Sequence, residues 1–297
     1  MRKSGFLNIA KPPGMTSHDV VDRVRRRVPR KTKVGHLGTL DPAAGGVLPI
    51  AVGSATKLIP MLPDLGSSMK SYLAHIQLGV TTSTDDLEGE ILSRDESDRA
   101  RLLTSDDIEA ELSHFRGDFL QVPPQVSAVR QDGVRAYEKA RRGESFELKA
   151  RPTVVEQLKL LDYDPQTAQL RAFMVCGSGT YVRSVARDLG AALGTGGALA
   201  FLLRTHSGPF VLAETVSLEE LMVSSLEDHL LPSWFPFAHL QRVSGSSVLE
   251  QKGQKLTGTF AQTGLMLARN GLVRVSPEDP GVAVVEALFD EVCQPWD

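Results

Sequence analysis

One carboxylate stands in a segment that is too rich in glycine and proline for a regular helix or strand. Asp41 lies within residues 35–48, which also contain four glycines, two alanines and Pro42. Glycine opens backbone angles that other residues avoid and lets a ligand approach the main chain, and Pro42 moves Asp41 away from helical angles. The segment predicts a shaped loop that presents one acid, a group able to act as a nucleophile or to take a proton. The apolar run over residues 47–52 predicts a buried strand or helix that anchors this loop.

Three further segments carry residue types that are common in binding sites. Residues 177–183 combine two glycines with Arg183 at the entry to a predicted helix, where an anion can bind. Tyr72 stands at the start of a predicted strand. Residues 121–142 place a cluster of cations beside proline and glycine turns, namely Arg130, Arg135, Lys139, Arg141 and Arg142. Such a cluster suits a polyanion.

The composition is that of a globular protein. The chain has 297 residues, 41% of them hydrophobic and 23% charged, which is enough for one large domain or two ordinary ones. Its two cysteines form no disulfide framework, which fits a reducing compartment. The N-terminus lacks the apolar run of a signal peptide, and no segment reaches the ~20 apolar residues of a spanning helix. We therefore expect a cytoplasmic protein without membrane attachment, and no sequence feature indicates an obligate oligomer.

Charge is distributed unevenly along the chain. The formal net charge is −3, yet residues 1–60 carry +8 and residues 121–190 carry +3, whereas residues 61–120 carry −8 and residues 191–297 carry −6. Because the local field matters more than the total charge, the two basic blocks could meet a polyanion such as nucleic acid. The basic and acidic surfaces could equally pair with each other, and charge alone does not separate these interpretations.

The hydrophobic patterns predict an α+β protein with a mixed, mainly antiparallel central sheet. Strands are predicted at residues 6–10, 72–79, 154–161 and 170–176, and helices at residues 105–116, 136–142, 180–193 and most of 214–230. A first helix follows a cap at Thr16 or Ser17, and its apolar stripe is Val20, Val21, Val24 and Val28. Strands and helices do not alternate regularly, which disfavours a doubly wound parallel sheet. From about residue 243, short strands and glycine turns predict a small β-rich C-terminal module.

Several segments in a fixed order give the chain a resemblance to a known family. They are residues 11–17, 35–48, 121–124, 127–137, 176–183, 188–190 and 202–208. The motif Gly-His-x-Gly-Thr-Leu-Asp-Pro at residues 35–42 is specific by itself. Over residues 5–210 the chain resembles the bacterial tRNA pseudouridine synthase B family. The resemblance implies a pseudouridine synthase fold.

The resemblance implies an enzyme that isomerises one uridine of tRNA, at position 55 in the TΨC loop, to pseudouridine. This reaction breaks the glycosidic C–N bond, rotates the uracil and joins its C5 atom to C1′ of the ribose. The resemblance implies no cofactor and no metal for it. By resemblance, Asp41 is the carboxylate that acts at the ribose and Arg183 is its partner. Asp41 could attack C1′ as a nucleophile or remove a proton from C2′ to give a glycal, and the sequence leaves both routes open.

Further site residues follow from the resemblance. Tyr72 stacks on the base and is a candidate for the transfer of the C5 proton, although a strand tyrosine is otherwise an ordinary core residue. His36 helps to displace the base and fills the stack that it vacates, and Tyr181 and Leu202 line the uracil pocket. The predicted contacts with the RNA backbone are Lys11, Arg130, Arg141 and Arg142.

The resemblance also predicts the domain boundaries and the binding partner of the chain. Residues 1–240 are predicted to form the catalytic domain, with an RNA-clamping insertion at about residues 121–150. Residues 241–297 are predicted to form a small PUA-like β module. The predicted partner is tRNA, bound through its T-arm and T-loop, with no obligate protein partner.

Three other functions are compatible with parts of the pattern. The chain could be an RNA-binding or RNA-folding factor that uses catalysis little, although Asp41, Tyr72 and Arg183 together favour the enzyme. A glycoside hydrolase also acts at an anomeric carbon but needs two facing carboxylates, and the Asp41 loop contains no second acid. An RNA-guided relative that works in a ribonucleoprotein is expected to carry a fuller C-terminal domain and basic tails, which the sequence does not show.

Overall fold

The computed structural model describes residues 4–65, 69–127, 129–131, 134–144, 146–240, 255–257, 264–268, 271–279 and 282–289. Its strands are, in chain order, β1 (Gly5–Lys11), β2 (Val34–His36), β3 (Gly45–Val52), β4 (Lys70–Leu78), β5 (Val80–Thr82), β6 (Ile91–Arg94), β7 (Gly117–Gln121), β8 (Arg130–Gln131), β9 (Val134–Arg135), β10 (Arg151–Asp164), β11 (Gln169–Cys176), β12 (Gly197–Ser207), β13 (Phe210–Val211), β14 (Val216–Ser217), β15 (Lys255–Thr257), β16 (Gly264–Ala268), β17 (Gly271–Asp279) and β18 (Val282–Phe289). Its α-helices are α1 (Ser17–Arg25), α2 (Arg99–Leu102), α3 (Ser105–Ser113), α4 (Ala136–Arg141), α5 (Val182–Ala192) and α6 (Leu218–Val223). Segments of 3₁₀ helix cover Gly53–Leu65, Leu212–Glu214, Leu226–His229 and Phe235–Phe237.

One large mixed sheet organises the chain. Its main path runs β14-β1-β3-β12-β4-β11-β10-β7, with β13 beside β12 and β2 beside β3. The pairs β1–β14 and β3–β12 are parallel, and the other pairs of this sheet are antiparallel. The predicted α+β class with a mixed, mainly antiparallel central sheet is therefore confirmed. Strands β15–β18 form a separate four-stranded antiparallel sheet, which confirms the β-rich C-terminal part.

Helix α1 begins at a capping box. The Thr16 hydroxyl accepts a hydrogen bond from the Asp19 N–H, and the Asp19 carboxylate accepts one from the Thr16 N–H. This arrangement satisfies amide donors that a helix start otherwise leaves without partners. The predicted apolar stripe is buried at Val20, Val21 and Val24. These valines share one hydrophobic core with β4, β11 and the buried face of α5, so this core sets the position of α5.

Two regions differ from the sequence prediction. Residues 214–230, predicted as mostly helix, contain only β14, α6 and short 3₁₀ turns. The hydroxyls of Ser217 and Ser225 accept hydrogen bonds from the N–H groups of Glu220 and Glu227, so each serine starts a new short element and divides the region. No pattern in the sequence assigns β12, because its apolar run fits a buried strand and a buried helix equally well.

The predicted domain boundary falls at the edge of the described residues. Residues 241–254 lie outside them, so the boundary at residue 240 and the PUA-like character of the C-terminal part stay predictions. Within the described ranges, the structure contains no helix with both the length and the apolarity to cross a membrane.

Candidate active site

Asp41 and Arg183 form an ion pair between the loop that joins β2 to β3 and the first turn of α5. Arg183 Nε lies 2.8 Å from Asp41 Oδ2, and Arg183 Nη2 lies 3.1 Å from Asp41 Oδ1. Two parallel hydrogen bonds of this kind fix both the position and the plane of a carboxylate. The fold thus joins two residues that are 142 positions apart in the sequence.

The Arg183 guanidinium is held on its other sides as well. The residue is only 5% exposed, and its other N–H groups donate to the backbone oxygens of Thr84 and Val126. Asp86 Oδ2 lies 3.6 Å from Arg183 Nε, so two carboxylates share one cation. The Asp41 side chain keeps 38% of its surface exposed. The catalytic candidate is therefore oriented by a buried cation while part of its surface stays open to a ligand.

Lys11 supports the Asp41 loop from inside the protein. Its side chain is 1% exposed, and Nζ donates hydrogen bonds to the backbone oxygens of Pro12, Met15 and Pro42. Burial lowers the pKa of this lysine to about 8. The prediction that Lys11 contacts an RNA phosphate does not fit this geometry, because the ammonium is buried and its donors are directed to carbonyl oxygens.

A second buried arginine lies beneath the same loop. Arg204 in β12 is 0% exposed, and its guanidinium donates to Val47 O at 2.7 Å and to Gly38 O at 3.1 Å. It therefore ties β12 to β3 and to the loop that presents Asp41. Arg204 has no role among the sequence predictions. The signal in the sequence is a cation directly after an apolar run, which favours a buried side chain with several acceptors.

Five of the predicted site residues meet at one cavity. This cavity has a volume of about 220 Å³, and its wall includes Asp41, Tyr72, Tyr181, Arg183 and Leu202, together with Lys70 and Ser127. The contributions come from the Asp41 loop, β4, β12 and the start of α5. Lys70 and Ser127 were not among the predicted site residues.

Two tyrosines form part of the cavity wall. Tyr72 is 6% exposed, and burial raises its pKa to about 12. Tyr181 is the N-cap residue of α5, and its backbone N–H donates to Gln121 Oε1 at 2.9 Å. Burial also raises the pKa of Tyr181. At neutral pH both phenols therefore offer an uncharged ring and a hydrogen-bond donor.

His36 is not among the described residues that line this cavity. It ends β2, five residues before Asp41, and its Nδ1 accepts a hydrogen bond from the Gly38 N–H at 3.3 Å. Its ring centroid lies 6.3 Å from that of His18. Burial lowers the pKa of His36, and the charges of His18 and Arg204 act in the same direction. The ring is therefore neutral at physiological pH.

The remaining predicted RNA contacts lie around α4. Arg142 is exposed, and its Nη1 lies 3.7 Å from Glu144 Oε1. Arg130 begins β8 and Arg141 ends α4, and their side chains lie outside the described part of the structure. Their contacts with RNA stay predictions.

Comparison with solved structures defines the class of fold. The chain is similar to a chain of a Cbf5-Nop10-Gar1 complex, with a TM-score of 0.68 and 23% identity over 97% of this chain and 85% of that chain. It is also similar to a chain of an archaeal box H/ACA sRNP Nop10-Cbf5 complex, with a TM-score of 0.64 and 24% identity over 99% of this chain and 89% of that chain. At these identities the likeness concerns the fold alone.

Sequence comparison assigns the family. Residues 25–182 match the TruB family pseudouridylate synthase (N terminal domain), and residues 183–234 match the tRNA pseudouridylate synthase B C-terminal domain. The chain is 44% identical to a tRNA pseudouridine synthase B of Carboxydothermus hydrogenoformans, over 91% of this chain and 94% of the relative. It is 42% identical to one of Synechocystis, over 94% and 97% respectively. The chain therefore belongs to the TruB family of pseudouridylate synthases, and the resemblance read from its motifs is confirmed.

Proposed function

We propose that the protein converts the uridine at position 55 in the T-loop of tRNA to pseudouridine, with Asp41 acting at the ribose. The observation that carries the proposal is the Asp41–Arg183 pair in the wall of a cavity shared with Tyr72 and Tyr181. The relatives named tRNA pseudouridine synthase B support tRNA as the substrate. The cavity of about 220 Å³ takes part of its wall from the loop that holds Asp41, which agrees with a uridine that is flipped out of its stack to reach this carboxylate.

The reaction moves the ribose from N1 to C5 of the uracil. The N1–C1′ bond breaks, the uracil rotates, a C5–C1′ bond forms, and C5 loses its proton while N1 gains one. Asp41 either attacks C1′ and is later displaced by C5, or takes a proton from C2′ to give a glycal. Both routes need a carboxylate that is held in a fixed orientation, and the two hydrogen bonds from Arg183 fix the position and plane of Asp41.

The other site residues hold the base and assist its flipping. Tyr72 and Tyr181 contact the uracil by stacking and hydrogen bonding, and Leu202, which is 7% exposed, completes the apolar wall. His36 lies on the same loop as Asp41 but outside the cavity wall, so its neutral ring can fill the stack that the uridine leaves. Unstacking and unpairing a base costs a few kcal/mol, and a ring that takes its place offsets part of that cost.

The RNA is held by an insertion and by a second domain. In this proposal Arg130, Arg141 and Arg142 contact phosphates from the clamp at residues 121–150, and they position the T-arm without reading its bases. Residues 1–240 form the catalytic domain, and residues 241–297 form a PUA-like module. The protein acts in the cytoplasm as a monomer.

The variant Asp41→Asn tests the assignment of the carboxylate. It should lose pseudouridine formation in an unmodified tRNA transcript, because an amide neither attacks C1′ nor accepts the C2′ proton. Its affinity for tRNA should stay within about tenfold of wild type, since phosphate contacts dominate binding. Mass spectrometry of the digested, chemically labelled tRNA locates the product, and filter binding measures the affinity.

Asp98→Asn is the matched control. Asp98 is exposed and has a φ of 52°, a left-handed conformation that asparagine also tolerates. The Asp98→Asn variant should therefore be as active as wild type. Full activity of Asp41→Asn would overturn the assignment of Asp41. Product at another uridine, with position 55 unchanged, would overturn the proposed substrate.

A further inference from the structure

We propose that Lys70 is the base that removes the proton from uracil C5 after the C5–C1′ bond has formed, an inference that rests on the proposed function. Lys70 begins β4 two residues before Tyr72, and side chains at this spacing point to the same face of a strand. Both residues line the cavity that also contains Asp41. Lys70 therefore lies in the space in which the uracil must rotate.

The ammonium groups of Lys70 and Lys11 differ in their hydrogen bonding to the protein. Lys11 Nζ donates to three backbone oxygens, whereas no residue in the described ranges accepts a hydrogen bond from Lys70 Nζ. Lys70 nevertheless lies against the Asp41 loop, because a Cβ atom placed on Gly38 would be 3.3 Å from its Nζ. Its nitrogen thus lies beside the loop that presents Asp41, on a residue that lines the cavity.

The surroundings of Lys70 favour the neutral amine. Burial, and secondly the Arg204 guanidinium, lower the pKa of Lys70 to about 8, against a smaller opposing effect of Cys176. At pH 7 about one molecule in ten then carries the free amine. Tyr72, the other candidate, has its pKa raised to about 12 by burial, so only about one molecule in 10⁵ carries the phenolate. Of Lys70 and Tyr72, which share this face of β4, Lys70 is the more available base.

The proposed step is a proton transfer that restores the enzyme. Once C5 has joined C1′, C5 carries both the ribose and its original hydrogen, and the ring has a C6=N1 double bond. The lone pair of Lys70 takes the C5 proton, the C5–H electrons form the C5=C6 bond, and the C6=N1 electrons move to N1. The Lys70 ammonium then returns the proton to N1, directly or through water, so the step needs no further reactant.

Uridine and 5-fluorouridine at the same tRNA position separate this step from the earlier ones. Fluorine replaces the C5 hydrogen, so 5-fluorouridine can be cleaved and rejoined through C5 without a base at that atom. Wild type should convert both substrates. Lys70→Met should slow the conversion of uridine about 10²-fold, the lower end of the effect of a general base, and leave that of 5-fluorouridine within about threefold. Single-turnover reactions followed by mass spectrometry of the digested tRNA give both rates.

Two further variants exclude simpler explanations. Lys70→Arg keeps the positive charge, but arginine does not lose its proton in proteins, so this variant should fail on uridine and still convert 5-fluorouridine. Lys159→Met removes an exposed lysine of β10 that does not line the described cavity, and both of its rates should match wild type. Uridine deuterated at C5 provides a second measurement. Its isotope effect should be larger in Lys70→Met than in wild type, because the C5 step then limits the rate.

Three results would overturn the role of Lys70. They are equal slowing of both substrates in Lys70→Met, no slowing of uridine in that variant, and substantial activity of Lys70→Arg on uridine. Failure of the wild-type protein to convert uridine in tRNA contradicts the proposed function instead, and it is seen before any variant is tested.

Discussion

At Arg183, four hydrogen bonds converge on one buried guanidinium. Two go to Asp41 and one each to the backbone oxygens of Thr84 and Val126, and Asp86 lies close by. Asp41, by contrast, keeps 38% of its side chain exposed, so water can solvate it when the arginine is removed. The two members of the pair therefore contribute unequally to stability.

Arg183→Met should destabilise the protein more than Asp41→Asn does. We expect the arginine variant to lower the free energy of unfolding by about 3 kcal/mol, the lower end for breaking a buried pair, because Asp41 is partly solvated. Asp41→Asn should cost about 1 kcal/mol, since the asparagine oxygen still accepts a hydrogen bond and Asp86 still faces the cation. Urea unfolding followed by circular dichroism measures both. Equal costs would show that Arg183 does not organise the site beyond its pair with Asp41.

At the residue scale, sequence motifs predict the side chains that line the cavity, but they do not predict the buried cations that hold the surrounding backbone in place. Asp41, Tyr72 and Arg183 stand in short contiguous segments that can be recognised without a structure. The acceptors of Lys11 and Arg204 are backbone oxygens, some of them in distant segments, such as Pro42 for Lys11 and Val47 for Arg204. A backbone oxygen has no signature in the sequence. This is why the sequence assigns Lys11 to the RNA and gives Arg204 no role.

At the element scale, the presentation of Asp41 depends on how closely β3 and β12 approach each other. The two strands are parallel, and Gly46 lies opposite Arg204 in the register. A Cβ atom on Gly46 would lie 2.2 Å from the Arg204 backbone oxygen, and the φ of Gly46 is +101°. Both the space and the backbone angle require glycine, so this contact fixes the end of the Asp41 loop.

Gly46→Ala should cost more stability than Gly14→Ala, although both glycines have a positive φ. Gly14 has a φ of +85°, and a Cβ atom at this position would have nothing within 4 Å, so alanine there should cost about 1 kcal/mol of backbone strain. Alanine at Gly46 adds an overlap with the backbone of β12, and the total should be about 3 kcal/mol. Chemical unfolding compares the two variants. Equal losses would mean that the strands separate freely at Gly46.

Element types were predictable where one face of the element is buried and the other is not. Helices α1 and α5 show this periodicity, and they form close to the predicted residues. Strand β10 runs over Arg151–Asp164, beyond the predicted 154–161, because pairing with β7 and β11 extends past its apolar stretch. Strand β12 lies between β3 and β4 inside the sheet. Its apolar run is therefore continuous and lacks the alternation of polar and apolar residues that identifies a half-buried strand.

At the scale of the whole molecule, only part of the basic charge is available to a polyanion. Lys11, Arg183 and Arg204 are buried and bonded internally. Arg27 donates to the backbone oxygens of Leu221 and Ser224, near the end of α6. Of these four residues, Lys11 and Arg27 belong to residues 1–60, so the net charge of that block overstates the field at the surface. This gives more weight to exposed cations elsewhere, such as Arg142 beside α4.

The double variant Arg141→Ala with Arg142→Ala tests whether the region around α4 holds the RNA. Each lost phosphate contact should reduce the slope of log affinity against log salt by about one, so the slope should fall by roughly two while the position modified in tRNA stays the same. The ion pair of Arg142 with Glu144 is exposed and is worth little, so its loss should leave stability unchanged. Arg94→Ala with Arg101→Ala is the matched control, because it removes the same charge from exposed positions in the acidic block of residues 61–120. Filter binding across a salt series measures the slope for each double variant. A general effect of charge would lower the slope equally in both double variants, whereas direct contact with the RNA would lower it only in the Arg141/Arg142 variant.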